Sequence, residues 1–164
     1  MASPKTATAP VGLPRRLAAM TYDGLLLLAM IMAVEFFIVA AFGITDEHPL
    51  FLPLRLYIPL VAFGFLGWCW TRQRGQTLGM QAWKIRLVDM AGKQVTWRQA
   101  GIRFGVALGQ WCLVVAAAAL YIRGWWIAAL PFVALVAAGL ARAQRDPERL
   151  MLHDRLSGTK LERV

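Results

Sequence analysis

Four long apolar runs, about residues 17–42, 50–70, 104–122 and 125–141, alternate with polar, basic segments along the chain. Each is long enough to cross a hydrocarbon core of about 30 Å as a helix, which takes roughly 17–25 residues. The last contains Pro131, which predicts a kink rather than a break, because neighbouring helices satisfy a carbonyl freed inside a membrane. Between the second and third runs the period changes. Trp83-Lys84-Ile85-Arg86-Leu87-Val88-Asp89 alternates through Arg86, Met90-Ala91-Gly92-Lys93 supplies a turn, and Gln94-Val95-Thr96-Trp97 resumes a β pattern. That predicts a β-hairpin over about 83–97. Thr77–Trp83 reads as a short interfacial segment with Leu78, Met80 and Trp83 towards lipid, and Thr96 as the N-cap of the third span. After the last run, Leu150–Leu156 predicts a short interfacial helix ended by Gly158, and residues 159–164 a strand added to the hairpin. Residues 1–12, rich in Ala, Pro and Thr, predict a disordered tail, leaving 13–164 as one membrane domain. The expected fold is all-α and membrane-embedded: a four-helix transmembrane bundle with a small cytoplasmic β-hairpin cap.

Composition agrees with a membrane protein, since 59% of the 164 residues are hydrophobic and 16% charged. The net charge of +9 does not point to nucleic acid, because the bases lie between apolar runs rather than on a soluble face. Arg15 and Arg16, then Arg72 through Arg103, then Arg142 through Arg163 fill one set of connections, whereas Asp46 and Glu47 follow the first run. The positive-inside rule then puts both termini and the central loop in the cytoplasm, which requires an even number of spans. The first run is longer than a signal-peptide core and carries Asp23 and Glu35, so it reads as a span and not a cleaved leader. Cys69 and Cys112 make no disulfide framework, and His48 and His153 fall on opposite sides, so no metal set is expected. No nucleophile signature, phosphate loop or cofactor motif is present, and no enzyme is expected.

Charges inside the runs carry the functional clue. An acid in hydrocarbon costs at least about 2.5–3.5 kcal/mol, so Asp23 faces other helices, a cation or a water-filled path. Arg16 precedes Asp23 by seven residues, about 10.5 Å and nearly two turns along one helix face, and Arg103 enters the third span at similar depth as a second candidate partner. Glu35 and Arg55 form a further candidate pair near the outer surface, with snorkelling as the plainer reading. Gln110, inside the third span, predicts an interhelical hydrogen bond. For Arg16 and Asp23, helix packing, ion handling and partner docking all remain open. For Asp154 the alternatives are a local anchor of the cytoplasmic cap and an ion site.

Three separated motifs resemble the RDD family, named for one arginine and two aspartates. They are Arg15-Arg16-Leu17-Ala18-Ala19-Met20-Thr21-Tyr22-Asp23, then Gly75-Gln76-Thr77-Leu78-Gly79 with Ile85-Arg86-Leu87-Val88-Asp89 and Gly92, then Leu152-His153-Asp154-Arg155-Leu156-Ser157-Gly158-Thr159. The resemblance covers nearly everything from Leu13 onwards. It implies that Arg16, Asp23 and Asp154 are the defining positions, with Arg15 an alternative for the arginine, in a small multi-pass protein of the bacterial cytoplasmic (inner) membrane. Two positions depart from the pattern: Met80 and Lys84 stand where such proteins often carry a basic residue and a glycine. The functional expectation is passage or exchange of a small cation or proton, with Asp23 as the binding group, Arg16 as its counter-charge and Asp154 at the inner mouth. The partners expected are the lipid bilayer, that cation or proton, and other copies in a homo-oligomer. The alternative is a non-transporting scaffold or accessory subunit that docks another membrane protein.

Overall fold

The computed structural model describes residues 11–43, 48–49, 55–147 and 150–164. The elements in order are α1 (Leu13–Phe42), α2 (Tyr57–Arg72), α3 (Leu78–Ala82), β1 (Ile85–Asp89), α4 (Trp97–Ile122), α5 (Trp126–Arg145), α6 (Leu152–Ser157) and β2 (Thr159–Arg163). Three of them, α1, α4 and α5 with 30, 26 and 20 residues, are long and apolar enough to cross a membrane. The second expected span appears as α2, with 16 residues. The start of that run, 50–54, and the acidic pair Asp46 and Glu47 lie outside the described residues, as do residues 1–10 of the expected tail.

Local chemistry explains where the helices begin and end. Pro14 sits in the first turn of α1, where its missing N–H costs nothing, and Gly43 closes the helix in the left-handed region with its N–H bonded to Val39 O. Thr96 caps α4 through a reciprocal box with Gln99. Pro131 lies inside α5, which continues to Arg145. Most large apolar side chains on α1, α4 and α5 are exposed, among them Leu25, Phe36, Val115 and Leu130. In a bilayer these surfaces meet acyl chains and need no protein cover.

The buried core lies at one end. Ala19 from the start of α1, Trp70 from the end of α2 and Ala100 from the start of α4 meet Met80, Ile85, Leu87 and Val95 of the segment between α2 and α4, and Leu161 of β2, there. Successive long helices therefore leave and return to one small cap. Val11 also belongs to this core and is fully buried, so the ordered chain reaches back into the expected tail.

Two features of the cap differ from the pattern-based expectation. The sheet is not a local hairpin: β1 pairs antiparallel with β2, with Leu87 opposite Leu161 and Asp89 opposite Thr159. Asp89 closes a tight turn by accepting Lys93 N at 2.6 Å. Gln94–Thr96 then forms no strand, because Thr96 is committed to capping α4. Met80, expected towards lipid, is buried, whereas Leu78 and Trp83 are exposed. α3 packs against α1, and Met80 is the residue of its five that joins the core.

Candidate functional site

Asp154 is the hub of a buried ion cluster. It sits in α6, a helix closed by Gly158 at φ 63°, and its Oδ2 accepts Met151 N at 2.9 Å, which fixes the carboxylate relative to its own backbone. Arg16 Nη1, from the start of α1, donates to Oδ2 at 2.7 Å. Arg103 Nη1, from the first turns of α4, donates to Oδ1 and to Thr159 Oγ1 at 3.1 Å. Each arginine is held a second time. Arg16 Nε donates to Val11 O at 3.1 Å, and the Arg103 guanidinium lies over the Trp70 ring, 5.5 Å from its centre. Three segments far apart in sequence, the starts of α1 and α4 and the helix α6, are thereby tied at one carboxylate.

His153 lies beside this cluster, with Nε2 3.6 Å from Asp154 Oδ1 and Nδ1 3.3 Å from Gln110 Oε1. That contact gives Gln110 the interhelical polar role expected of it. Burial, then the positive field of Arg103, pushes the His153 imidazole down to about 4, against the pull of Asp154. Burial opposes charge on Asp154 too, but Arg103, His153 and Arg16 with the Arg103 hydrogen bond outweigh it and hold the carboxyl at about 2. At neutral pH, among the described residues, two cations face one anion with a neutral imidazole. A cavity of about 390 Å³, lined in part by Arg16, Gln144 and Met151, adjoins the cluster.

Asp23 stands apart. Its side chain is buried at 7% exposure, turned inwards as its polarity requires, but its partners are neutral. Thr77 Oγ1 donates to Oδ2 at 2.5 Å and Gly79 N donates to Oδ1 at 2.8 Å. Thr77 Oγ1 also accepts Met80 N at 3.1 Å, so the same hydroxyl caps α3. No arginine pairs with Asp23 among the described residues. The Arg16–Asp23 pair suggested by their spacing is replaced by Arg16–Asp154, and Arg103 makes the same choice. A guanidinium at the mouth of α1 reaches the cap more readily than a point about 10.5 Å deeper along the helix.

The glycine-rich segment before β1 works residue by residue. Gly75, at φ 75°, lies so close to β1 that an added Cβ would stand 2.1 Å from Leu87 O. Gln76 Nε2 donates to Ile85 O at 2.9 Å. At Gly79 a Cβ would come within 2.4 Å of Ala19 O and 2.8 Å of Asp23 Oδ1, so only glycine lets α3 approach α1 closely enough to present its N–H. Thr77, Gly79, His153 and Thr159 contact the two buried acids or their partners, and periodicity did not single them out. The two glycines flanking Gln-Thr-Leu were the available signal for a close backbone approach.

The remaining candidates lie away from the cap. Glu35, in the far half of α1, has Tyr57 at the start of α2 as an electrostatic neighbour, and Arg55 precedes α2 at an exposed position. Cys69 and Cys112 are free. Among the described residues no group of His, Cys, Asp and Glu is arranged to hold a metal.

Compared with known proteins, the chain matches the family model described as RDD family over residues 10–158. No curated protein and no solved structure matches.

Proposed function

Since the chain belongs to the RDD family, we propose that it is a multi-pass protein of a bacterial cytoplasmic membrane that passes or exchanges a small cation or proton at Asp23, without a catalytic reaction of its own. The observation that carries this reading is a buried carboxylate in a membrane-spanning helix whose partners are a hydroxyl and a backbone N–H rather than a cation. Such a group has no counter-ion and is open to an incoming proton or metal cation, whereas Asp154 is already claimed from two sides. Arg16, Arg103 and Asp154 then act as the lock that holds the cap on the helices, and the inner-mouth role expected of Asp154 passes to the cap as a whole. In this reading α2 is the fourth span, both termini and the cap face the cytoplasm, and copies associate to complete a pathway that so few helices do not enclose.

The test is flux of sodium and of protons into liposomes carrying the purified protein, parent against Asp23→Asn. Loss of flux with folding retained supports the proposal; an inactive parent overturns it. Cysteine labelling at Gly92 in a cysteine-free background tests the orientation, and labelling from outside the cell contradicts it.

A scaffold role is the second reading, favoured by α1. None of its apolar window is buried within the chain, which leaves that stretch, beyond the part that meets the cap, open to another membrane helix. Cross-linking from α1 to a different protein in the absence of flux distinguishes it.

A further inference from the structure

Between α4 and α5 runs an apolar groove of about 670 Å³, walled by Leu113 and Leu135 and reached by Leu152 of the cap. It meets a second apolar groove of about 650 Å³ at Val136, floored by small residues such as Ala117 and Ala129. The two together follow α5 from Trp126 to Arg145, about 28 Å at 1.5 Å per residue, close to the thickness of a hydrocarbon core. The cap end of this groove is basic. Arg142 and Arg145 are exposed, stand three residues apart on one helix face, and are in no ion pair among the described residues. Arg155, also on the rim, is held by Asp146.

We infer that this groove is a site for an anionic phospholipid, with the phosphate at Arg142 and Arg145 and an acyl chain lying along Leu135 and Val136. Both halves are needed. The walls lie on spans that the bilayer surrounds, so acyl chains are the medium in contact with them, and the cations sit where that medium gives way to headgroups. Basic pockets between membrane helices take anionic headgroups for this reason. Gln110, which also lines the groove, is bonded to His153 beside Asp154, so an occupied groove braces the helix face that supports the cap. The inference is independent of whether Asp23 carries an ion.

The experiment uses the full chain, purified in detergent and delipidated, with thermal unfolding followed on adding phosphatidylglycerol, phosphatidylcholine of the same chains, or glycerol phosphate. Phosphatidylglycerol is expected to raise the midpoint, and the other two to leave it unchanged. In Arg142→Gln/Arg145→Gln the lipid concentration needed is expected to rise at least tenfold, while Lys93→Gln, on the exposed turn, behaves as the parent. Val136→Trp, which fills the groove without touching a charge, is expected to weaken the same response. Native mass spectrometry of the parent should show adducts of the phosphatidylglycerol mass. An equal response to phosphatidylcholine, a response to glycerol phosphate alone, an unchanged response in the double arginine variant, or dimers in place of lipid adducts would each overturn the inference.

Discussion

Asp154 and Asp23 are both buried acids in motifs that carry the family resemblance, yet they are satisfied in opposite ways. Asp154 lies outside the spans, in a short helix of the cap, and is neutralised by two guanidiniums that arrive from the starts of α1 and α4. Asp23 lies within α1 and is satisfied by the hydroxyl and backbone N–H at the start of α3. The first arrangement consumes the carboxylate's charge in joining segments distant in sequence. The second satisfies the lone pairs with dipoles and sets no counter-ion beside the carboxyl. One arginine and two aspartates therefore do not form a single ion site: the arginine and one aspartate make a tie, and the other aspartate makes a separate contact two turns deeper.

The strongest way to break this contrast is to remove each acid's charge in turn. Asp154→Asn leaves Arg16 and Arg103 buried against each other, and stripping one member from a buried ion network costs about 3–5 kcal/mol. The variant is expected to lose its monodisperse peak on size exclusion and to unfold at markedly lower temperature. Asp23→Asn keeps one acceptor oxygen, for Gly79 N, and turns the other contact round so that its Nδ2 donates to Thr77 Oγ1; its unfolding is expected to shift by about 1 kcal/mol.

A smaller effect sharpens the Asp23 side. Gly79→Ala drives a Cβ to 2.4 Å from Ala19 O, which forces α3 off α1 at a cost of about 1–3 kcal/mol. Because the same shift removes the Gly79 N–H from Asp23, a cysteine cross-link between α1 and α3 should form more slowly.

Acid sharpens the Asp154 side. His153 ionises at about 4 when folded against an ordinary 6.5, so between those values the unfolded chain holds the extra proton and stability falls as pH drops from 6.5 towards 4. Asp154, at about 2 against 3.8, contributes stability that is present above 3.8 and lost below it as pH falls towards 2. Thermal unfolding across pH 7 to 4 is expected to show the first decline, and His153→Gln to flatten it.

The smallest expected change is a gain. Lys84 sits at φ 52° just before β1, a left-handed conformation that costs a side-chain-bearing residue about 1–2 kcal/mol. Lys84→Gly is therefore expected to stabilise the cap by up to about 1 kcal/mol in a denaturant titration, after glycine's own entropic cost.

The long helices were legible because apolar length is a property of contiguous residues, and the Thr96 cap because its partner Gln99 is three positions away. The strand after Gly158 was expected and is present, and the family motifs marked the residues of the cap. Pairing was another matter. Arg16 and Asp23 share a helix face, which made them look like partners, while Asp154 lies 138 residues further on and nothing local connects it to Arg16. The β1 partner was misread for a related reason: Gly92 signals a turn, but whether a strand follows depended on the competing demand of α4 for a capped start. Asp23's partners are the Thr77 hydroxyl, more than fifty residues away, and a backbone N–H, a group that every residue except proline carries, so only the glycines around them marked the position.

The central claim, that Arg16 belongs to Asp154 and not to Asp23, is tested most directly by two double-mutant cycles on unfolding free energy. One combines Arg16→Met with Asp154→Asn, the other Arg16→Met with Asp23→Asn. Residues in one ion network couple by about 0.5–3 kcal/mol, whereas separated ones add to within about 0.5 kcal/mol. The account predicts coupling above 1 kcal/mol in the first cycle and additivity in the second. Coupling between Arg16 and Asp23 with additivity between Arg16 and Asp154 would contradict it.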